Sequence, residues 1–122
     1  MYIGKVAKIT GLSIKAIRLY EERGLIIPSR QGRYRIYDES HIEILHLIKE
    51  AKLLGSTLSQ LNNVIVYRHG RVDWIRIETF LIEMRSQLSQ QVQNLNAKIG
   101  KVDECLTVIK SCPSSIDSPL KG

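Results

Sequence analysis

The feature that most constrains the fold of this chain is a long apolar stripe in its second half. From Asp73 to Ser111 the sequence follows a helical pattern in which Gly100 is the only weak point. Its apolar residues recur every three or four positions, a near-heptad spacing that is typical of helices that pair with one another. This stripe, called the seam below, comprises Ile77, Leu81, Met84, Leu88, Val92, Leu95, Ile99, Val102, Leu106 and Ile109.

The seam predicts that the chain forms a dimer. With a rise of about 1.5 Å per residue, the helix would be about 55 Å long. Residues 1–70 are too few to cover an apolar stripe of that length, so we expect a second copy of the chain to cover it. The alternative is a helix that folds back onto its own domain. A twofold dimer would present two copies of whatever surface the N-terminal part carries.

The net charge of the chain is concentrated in its first third. Residues 1–37 contain eight Lys or Arg residues and two acidic residues, whereas residues 38–122 contain ten of each sign. The whole net charge of +6 therefore lies in the first 37 residues. A segment of this kind is expected of a module that binds phosphate groups.

The basic segment begins with the pattern of a helix-turn-helix. Gly11 ends a first short helix and Ser13 caps a second one, which leaves the short glycine-containing turn of that motif. In the second helix Lys15 and Arg18 lie on one side, while Tyr20 lies on the apolar side. A two-faced helix after such a turn is suited to the major groove of DNA. The alternative is that these two cations are ordinary solvated charges.

An arginine-rich hairpin follows the second helix. A turn-like stretch that starts at Arg30 leads into a short strand in which Arg33 and Arg35 share one face and Tyr34 and Ile36 share the other. A basic hairpin beside a recognition helix is a wing, and its arginines would bind phosphates of the flanking backbone. The alternative is an edge hairpin that its charges keep soluble.

Two helices should support this basic module. Asp38 caps a third helix that ends at Gly55. Thr57 and Gln60 form a capping box for a fourth helix, which we expect to reach nearly to Gly70. These two helices would bury the apolar side of the winged module.

The motifs together resemble a known family. The run VAKITGLSIKAIRLYEERGLI, followed by YRIYDESHIEILHLIKEAKLLG, is similar to the N-terminal half of the MerR family of bacterial transcription regulators. The resemblance implies a mainly α fold with a winged helix-turn-helix and helix pair over 1–70. It further implies a long antiparallel coiled-coil dimerisation helix over 71–112 and a short tail over 113–122.

The resemblance also implies which residues bind DNA. Lys15 and Arg18 match recognition-helix contacts, and Tyr20 matches a tyrosine that contacts the backbone. The wing would contribute Arg30 by its charge, and Arg33, Tyr34 and Arg35 by their match to the family. The usual wing sequence is Asn-Gly-Tyr-Arg, whereas this chain has Gly-Arg-Tyr-Arg in a wing that is shorter.

The residues around Cys112 resemble part of a metal-binding loop. In metal sensors of the family a Cys-Pro pair opens the metal-binding loop, and a second cysteine follows. This chain has Cys112 before a proline, but no second cysteine follows it. Cys105 lies two helical turns away, about 10 Å along the axis, so one ion cannot bridge the pair within one chain. We therefore expect no certain cofactor and retain Cys112 as a candidate ligand. The alternatives are a residue that merely ends the seam or a thiol that senses electrophiles.

The two histidines of the third helix do not change this expectation. His41 and His46 are five positions apart, which places them about 140° apart around a helix, so one ion cannot bind both.

The expected function is that of a homodimeric regulator on a pseudo-palindromic promoter element. By resemblance it would distort promoter DNA, act on RNA polymerase indirectly and respond to a small effector. The alternative is an architectural protein that binds DNA without sequence preference. We find no nucleophile–base pair, carboxylate dyad or phosphate loop, so an enzyme is not expected. No apolar run approaches the roughly 18 residues that span a bilayer. The first residues, MYIGKVAK, lack the apolar core of a signal peptide. With only two cysteines in the sequence, we expect a reducing cytoplasm.

Overall fold

The computed structural model describes residues 1–111 of the chain. These residues form five helices and two small antiparallel hairpins, so the mainly α fold with a hairpin wing and a long C-terminal helix is confirmed. The elements in chain order are α1 (Ile3–Thr10), α2 (Ile14–Glu22), β1 (Ser29–Gln31), β2 (Tyr34–Ile36), α3 (Glu39–Leu53), α4 (Leu58–Val64), β3 (Tyr67–Arg68), β4 (Arg71–Val72) and α5 (Trp74–Lys110). They divide into two compact units, residues 1–78 and the residues from 79 onward.

The turn between α1 and α2 has the geometry that a helix-turn-helix needs. Gly11 adopts a left-handed conformation with φ of 74°, which a residue with a side chain rarely adopts. A Cβ at this position would also lie 2.9 Å from Nζ of Lys49. That ammonium group donates a hydrogen bond of 2.9 Å to the carbonyl oxygen of Thr10. Ser13 then caps α2 by accepting a hydrogen bond of 3.0 Å from the backbone of Ala16.

The core of the first unit lies beneath α2 and α3. Its buried apolar side chains come from every helix of the unit and from the segments on either side of the wing. One side of α2 is therefore packed in the core, while its other side stays exposed. The buried residues are Val6, Ile17, Tyr20, Leu25, Ile26, Tyr37, Ile42, Ile44, Leu45, Ile48, Ala51, Leu61, Ile65 and Ile77.

The caps of α3 and α4 are those that the sequence predicts. The side chain of Asp38 accepts hydrogen bonds from the first turn of α3, and His41 completes a capping box by accepting from the backbone of Asp38. Thr57 and Gln60 form the capping box of α4, with reciprocal distances of 3.1 and 2.9 Å. Each box satisfies backbone donors that a helix start leaves unpaired.

The predicted extent of α4 is wrong, because the helix ends at Val64 and a second hairpin follows it. In this hairpin the strands β3 and β4 are joined through His69 and Gly70, whose φ values of 53° and 76° are both positive. Two positive φ values are required by the hairpin turn that suits the twist of the strands. The run from Val64 to Tyr67 is rich in β-branched residues, which favours an extended chain over a further helical turn.

The wing is a two-stranded hairpin with a two-residue turn. Gln31 pairs with Tyr34 across a turn that begins at Gly32, whose φ is 62°. Arg33 therefore lies in the turn and not in the strand, which corrects the prediction that it shares a strand face with Arg35. In this register Arg30 lies directly opposite Arg35.

Candidate nucleic-acid interface

The exposed side of α2 is basic and open. Lys15 and Arg18 are exposed on this side, next to Leu19 and Glu22, around a shallow cleft of about 400 Å³. Neither cation has a hydrogen bond or an ion pair among residues 1–111. Since the opposite side of α2 carries the buried Ile17, the helix has the two faces that the sequence predicts.

Tyr20 is placed differently from the other predicted contacts. Its residue is only 4% exposed, and its ring packs in the core of the first unit. The ammonium group of Lys52 lies 5.9 Å from the centre of the ring, at the distance of a cation–π contact. Tyr20 therefore lies on the apolar face of α2, as helical spacing predicts. A contact of Tyr20 with a DNA backbone stays a prediction.

The wing presents its three arginines in two different ways. Arg33 projects from the turn, is exposed and makes no hydrogen bond or ion pair within the described part of the chain. Arg30 and Arg35 instead meet the carboxylate of Glu21 on α2. The Nε atom of Arg35 lies 2.6 Å from Oε1 of Glu21, and Nη2 of Arg30 lies 3.8 Å from Oε2.

Glu21 is the centre of this cluster, which we call the Glu21 cluster (Glu21, Arg30, Arg35 and Tyr37). Its side chain is 18% exposed, and it also accepts a long hydrogen bond of 3.5 Å from the hydroxyl of Tyr37. The contact between Nε of Arg35 and Glu21 is an ion pair. The proximity of Glu21 raises the pKa of Arg35, and burial, followed by the Glu21 charge, raises the pKa of Tyr37. The wing is thus attached to α2 through one carboxylate.

Tyr2 is a residue of this surface that the sequence did not indicate. Its ring lies beside that of Tyr34 on the wing, with centroids 5.8 Å apart and planes inclined at 55°. Both tyrosines are more than half exposed, and they line a cleft of about 500 Å³ together with Ile3, Arg33 and Arg35. Nothing in the local sequence pattern places residue 2 against the wing, because the contact depends on the path of the chain between them.

The second hairpin carries two arginines, Arg68 on β3 and Arg71 on β4, and the first of them was predicted to lie in the fourth helix. Arg68 is paired with Asp73, since its Nε atom donates a hydrogen bond of 3.0 Å to Oδ2 of that carboxylate. This pairing lowers the pKa of Asp73. Arg71 is exposed and has no hydrogen bond or ion pair among the described residues.

The described residues do not form a metal centre. Both ring nitrogens of His41 are occupied, since Nδ1 accepts from the backbone of Asp38 and Nε2 lies 2.9 Å from the carbonyl oxygen of Ile27. Within residues 1–111 no group of three or more His, Cys, Asp or Glu side chains could hold an ion. Cys105 is exposed on α5. The candidate ligand Cys112 lies outside the described residues.

The seam is largely uncovered in one protomer. Ile77 is 3% exposed and belongs to the core of the first unit, whereas Leu88, Leu95 and Val102 are 42%, 57% and 58% exposed. Asp73 caps the start of the helix by accepting a hydrogen bond of 3.2 Å from the backbone of Arg76. An apolar stripe that stays exposed along a 37-residue helix indicates a surface that pairs with another helix.

Comparison with known proteins decides the family. The profile of the MerR HTH family regulatory proteins matches residues 1–66, more than half of the chain. The chain belongs to the MerR family. The transcriptional regulator CueR of Vibrio cholerae is 44% identical over 123 residues, with 93% of this chain and 81% of that protein covered. CueR of Escherichia coli is 30% identical over 98% of this chain and 90% of its own length.

Solved structures confirm the MerR fold. The N-terminal part of the Bacillus subtilis multidrug transporter activator MtaN matches 87% of this chain and 97% of its own, with a TM-score of 0.57 and 23% identity. A MerR family regulator from Listeria monocytogenes matches 96% and 94%, with a TM-score of 0.59 and 17% identity. Within residues 1–111, no helix is long and apolar enough to cross a membrane.

Proposed function

We propose that this MerR family protein is a homodimeric, sequence-specific regulator that reads promoter DNA through α2. The observation that carries the proposal is the open basic face of α2. On it, Lys15 and Arg18 have no hydrogen bond or ion pair among residues 1–111, while the opposite side is buried in the core. A helix held in this way can enter a major groove with its cations free to meet base edges and phosphates. The wing, with the exposed Arg33 at its turn, would bind the adjacent DNA backbone.

The dimer follows from the exposed seam. We infer that α5 pairs antiparallel with its copy, so that residues 71–112 form the dimerisation element and residues 1–70 form the DNA-binding domain. A twofold dimer presents two copies of α2 and therefore requires an inverted repeat in the DNA. A protein of the same fold, the MerR family regulator HiNmlR, was crystallised bound to promoter DNA, with a TM-score of 0.53 to this chain.

Regulation would proceed through the shape of the promoter. Two DNA-binding units that a dimer holds at a fixed separation can bend and undertwist the duplex between them, and RNA polymerase would respond to that change. Bending a site of about 20–30 base pairs costs roughly 1–6 kcal/mol. The backbone contacts of two wings and two reading helices can offset this cost. We place this activity in the cytoplasm and expect no enzymatic reaction.

In-vitro selection from random duplexes tests this function. We expect the bound pool to converge on an inverted repeat whose half-sites are separated by about one or more helical turns. A pool without any enriched sequence, together with binding that salt abolishes completely, would instead show an architectural protein without sequence preference.

Arg33→Ala should weaken DNA binding without changing sequence preference. Because Arg33 is exposed and has no ion pair in the part of the chain that the structure describes, we expect it to bind a phosphate. Its loss should make the slope of log affinity against log salt shallower by about 0.9 per site. The measurement is the affinity for the selected duplex and for an unrelated one across a salt series. Lys98→Ala, which removes the same charge from α5, should leave the slope unchanged. A changed sequence preference in Arg33→Ala would contradict the assignment.

We propose that the effector is a metal ion or a thiol-reactive compound. A relative from Haemophilus influenzae, 32% identical over 84% of this chain, is named as a probable heavy metal-dependent regulator. The residues present do not supply the two thiolates that a soft, low-coordinate ion prefers, since Cys112 is the only cysteine of the tail. If Cys112 is a ligand, Cys112→Ser should abolish the binding of Cu(I), Zn(II) or Hg(II) in titrations of the dimer. Binding that survives the substitution would remove Cys112 from the site.

A further inference from the structure

The DNA-binding surface contains an acidic residue whose presence net charge does not explain. Glu21 lies on α2, between the open face of the helix and the wing, where a carboxylate should repel the phosphates of bound DNA. The adjacent Glu22 is also on α2, but it is exposed and has no hydrogen bond or ion pair among residues 1–111. Glu21 differs because its side chain is only 18% exposed and contacts three other side chains.

The register of the wing shows why a carboxylate is needed at this place. Arg30 and Arg35 are directly opposed across the hairpin, and both reach Glu21, so their guanidinium groups lie on the same face. Like charges directly opposite each other destabilise a strand pair. Glu21 lies within ion-pair distance of both, at 2.6 and 3.8 Å, and so converts a repulsive pair into an attachment.

The wing has two further attachments, and neither joins it to α2. The ring of Tyr34 packs against that of Tyr2. At the end of β2, the backbone N–H of Tyr37 donates a hydrogen bond of 2.7 Å to the carbonyl oxygen of Met1. The described contacts that tie the side chains of the wing strands to α2 are those of the Glu21 cluster. In the described part of the chain, Glu21 is therefore the residue of α2 that contacts the wing directly.

We propose that Glu21 is a positioning residue that sets the angle between the wing and α2, so that Arg30 and Arg35 act through Glu21 and not as phosphate ligands. This inference rests on the proposed function, since it concerns how the same surface binds DNA. Arg33 then remains as the phosphate-binding arginine of the wing. The two contacts to DNA, by α2 and by the wing turn, cost less ordering entropy when their separation is fixed in advance.

Charge alone predicts that removing either carboxylate strengthens DNA binding. The positioning role predicts instead that the two substitutions have opposite effects on the affinity for the selected duplex. Glu21→Gln and Glu22→Gln each remove one negative charge from neighbouring positions of α2. Glu22→Gln should raise the affinity for the selected duplex and for an unrelated duplex by similar small factors, because repulsion falls. Glu21→Gln should lower the affinity for the selected duplex about tenfold while the affinity for the unrelated duplex stays equal or rises.

The experiment measures, for each of the two variants, the ratio of the affinity for the selected duplex to the affinity for the unrelated duplex. The melting temperature of each variant confirms that it is folded. Hydrogen exchange of the β1 and β2 amides should be faster in Glu21→Gln only. A charge exchange, Glu21→Arg combined with Arg35→Glu, should recover part of the ratio that each single substitution loses. If Glu21→Gln behaves as Glu22→Gln does, or if the exchange recovers nothing, the positioning role is wrong. The proposed function would still stand in that case, because it fails only if the unaltered protein selects no sequence.

Discussion

Arg18→Ala should lower the affinity for the selected operator by about 10- to 100-fold and relax the preference for the base that it reads. The reason is that Arg18 is exposed on the face of α2 that would enter the groove, and that it makes no hydrogen bond or ion pair with any other described residue. An arginine that makes two hydrogen bonds to a base edge is worth about 1–3 kcal/mol of discrimination. The measurement is the affinity for the selected duplex and for a set of its single-base variants.

Arg23→Ala is the matched control for this prediction. Arg23 follows the last residue of α2, is exposed, and carries the same charge. Its substitution should lower the affinities for all duplexes by one common factor. If Arg18→Ala shows the same uniform loss, Arg18 binds a phosphate and the base-reading role passes to another residue of α2.

Leu95→Glu should abolish the dimer and with it nearly all binding to the full operator. Leu95 lies near the middle of the seam and is 57% exposed in one protomer, so the substitution leaves the core of the first unit intact. In the dimer it would place a carboxylate of each chain in an apolar interface, which costs several kcal/mol. We expect the affinity for the full inverted repeat to fall by on the order of a hundredfold, since two half-sites would no longer be bound together.

The control for this substitution lies on the same helix. Gln93→Glu adds the same charge at an exposed position nearly opposite to the seam, and it should change neither the mass of the protein nor its operator affinity. Analytical ultracentrifugation gives the mass of each variant. A Leu95→Glu variant that still sediments as a dimer would show that another surface pairs the two chains.

The parts of the fold that could be predicted from sequence are those that local chemistry decides. Gly11 and Ser13 define the turn of the helix-turn-helix through a left-handed conformation and a cap, and both act within a few residues. The capping boxes of α3 and α4 are local in the same way. The second hairpin was missed because the spacing of Leu61 and Ile65 suits a helix, while the decisive turn has a histidine at positive φ.

The arrangement of the interface could be predicted only in part. Charge and spacing predict that Lys15, Arg18 and the arginines of the wing contact DNA. They could not show that Arg35 is bound to Glu21, because that contact joins residues 14 positions apart whose distance is set by how the wing packs on α2. The contact of Tyr2 with Tyr34 is of the same kind. Tertiary packing, and not local pattern, determines which cations remain free for DNA.

The central claim is that two chains, joined through α5, bind one duplex with two reading helices. Native mass spectrometry of the protein with the selected operator tests it most directly. We predict a single complex that contains two chains and one duplex. When one half-site is scrambled, or when the Leu95→Glu variant is used, weaker complexes with one chain should replace it. A tight, sequence-specific complex with one chain per intact operator would contradict the claim.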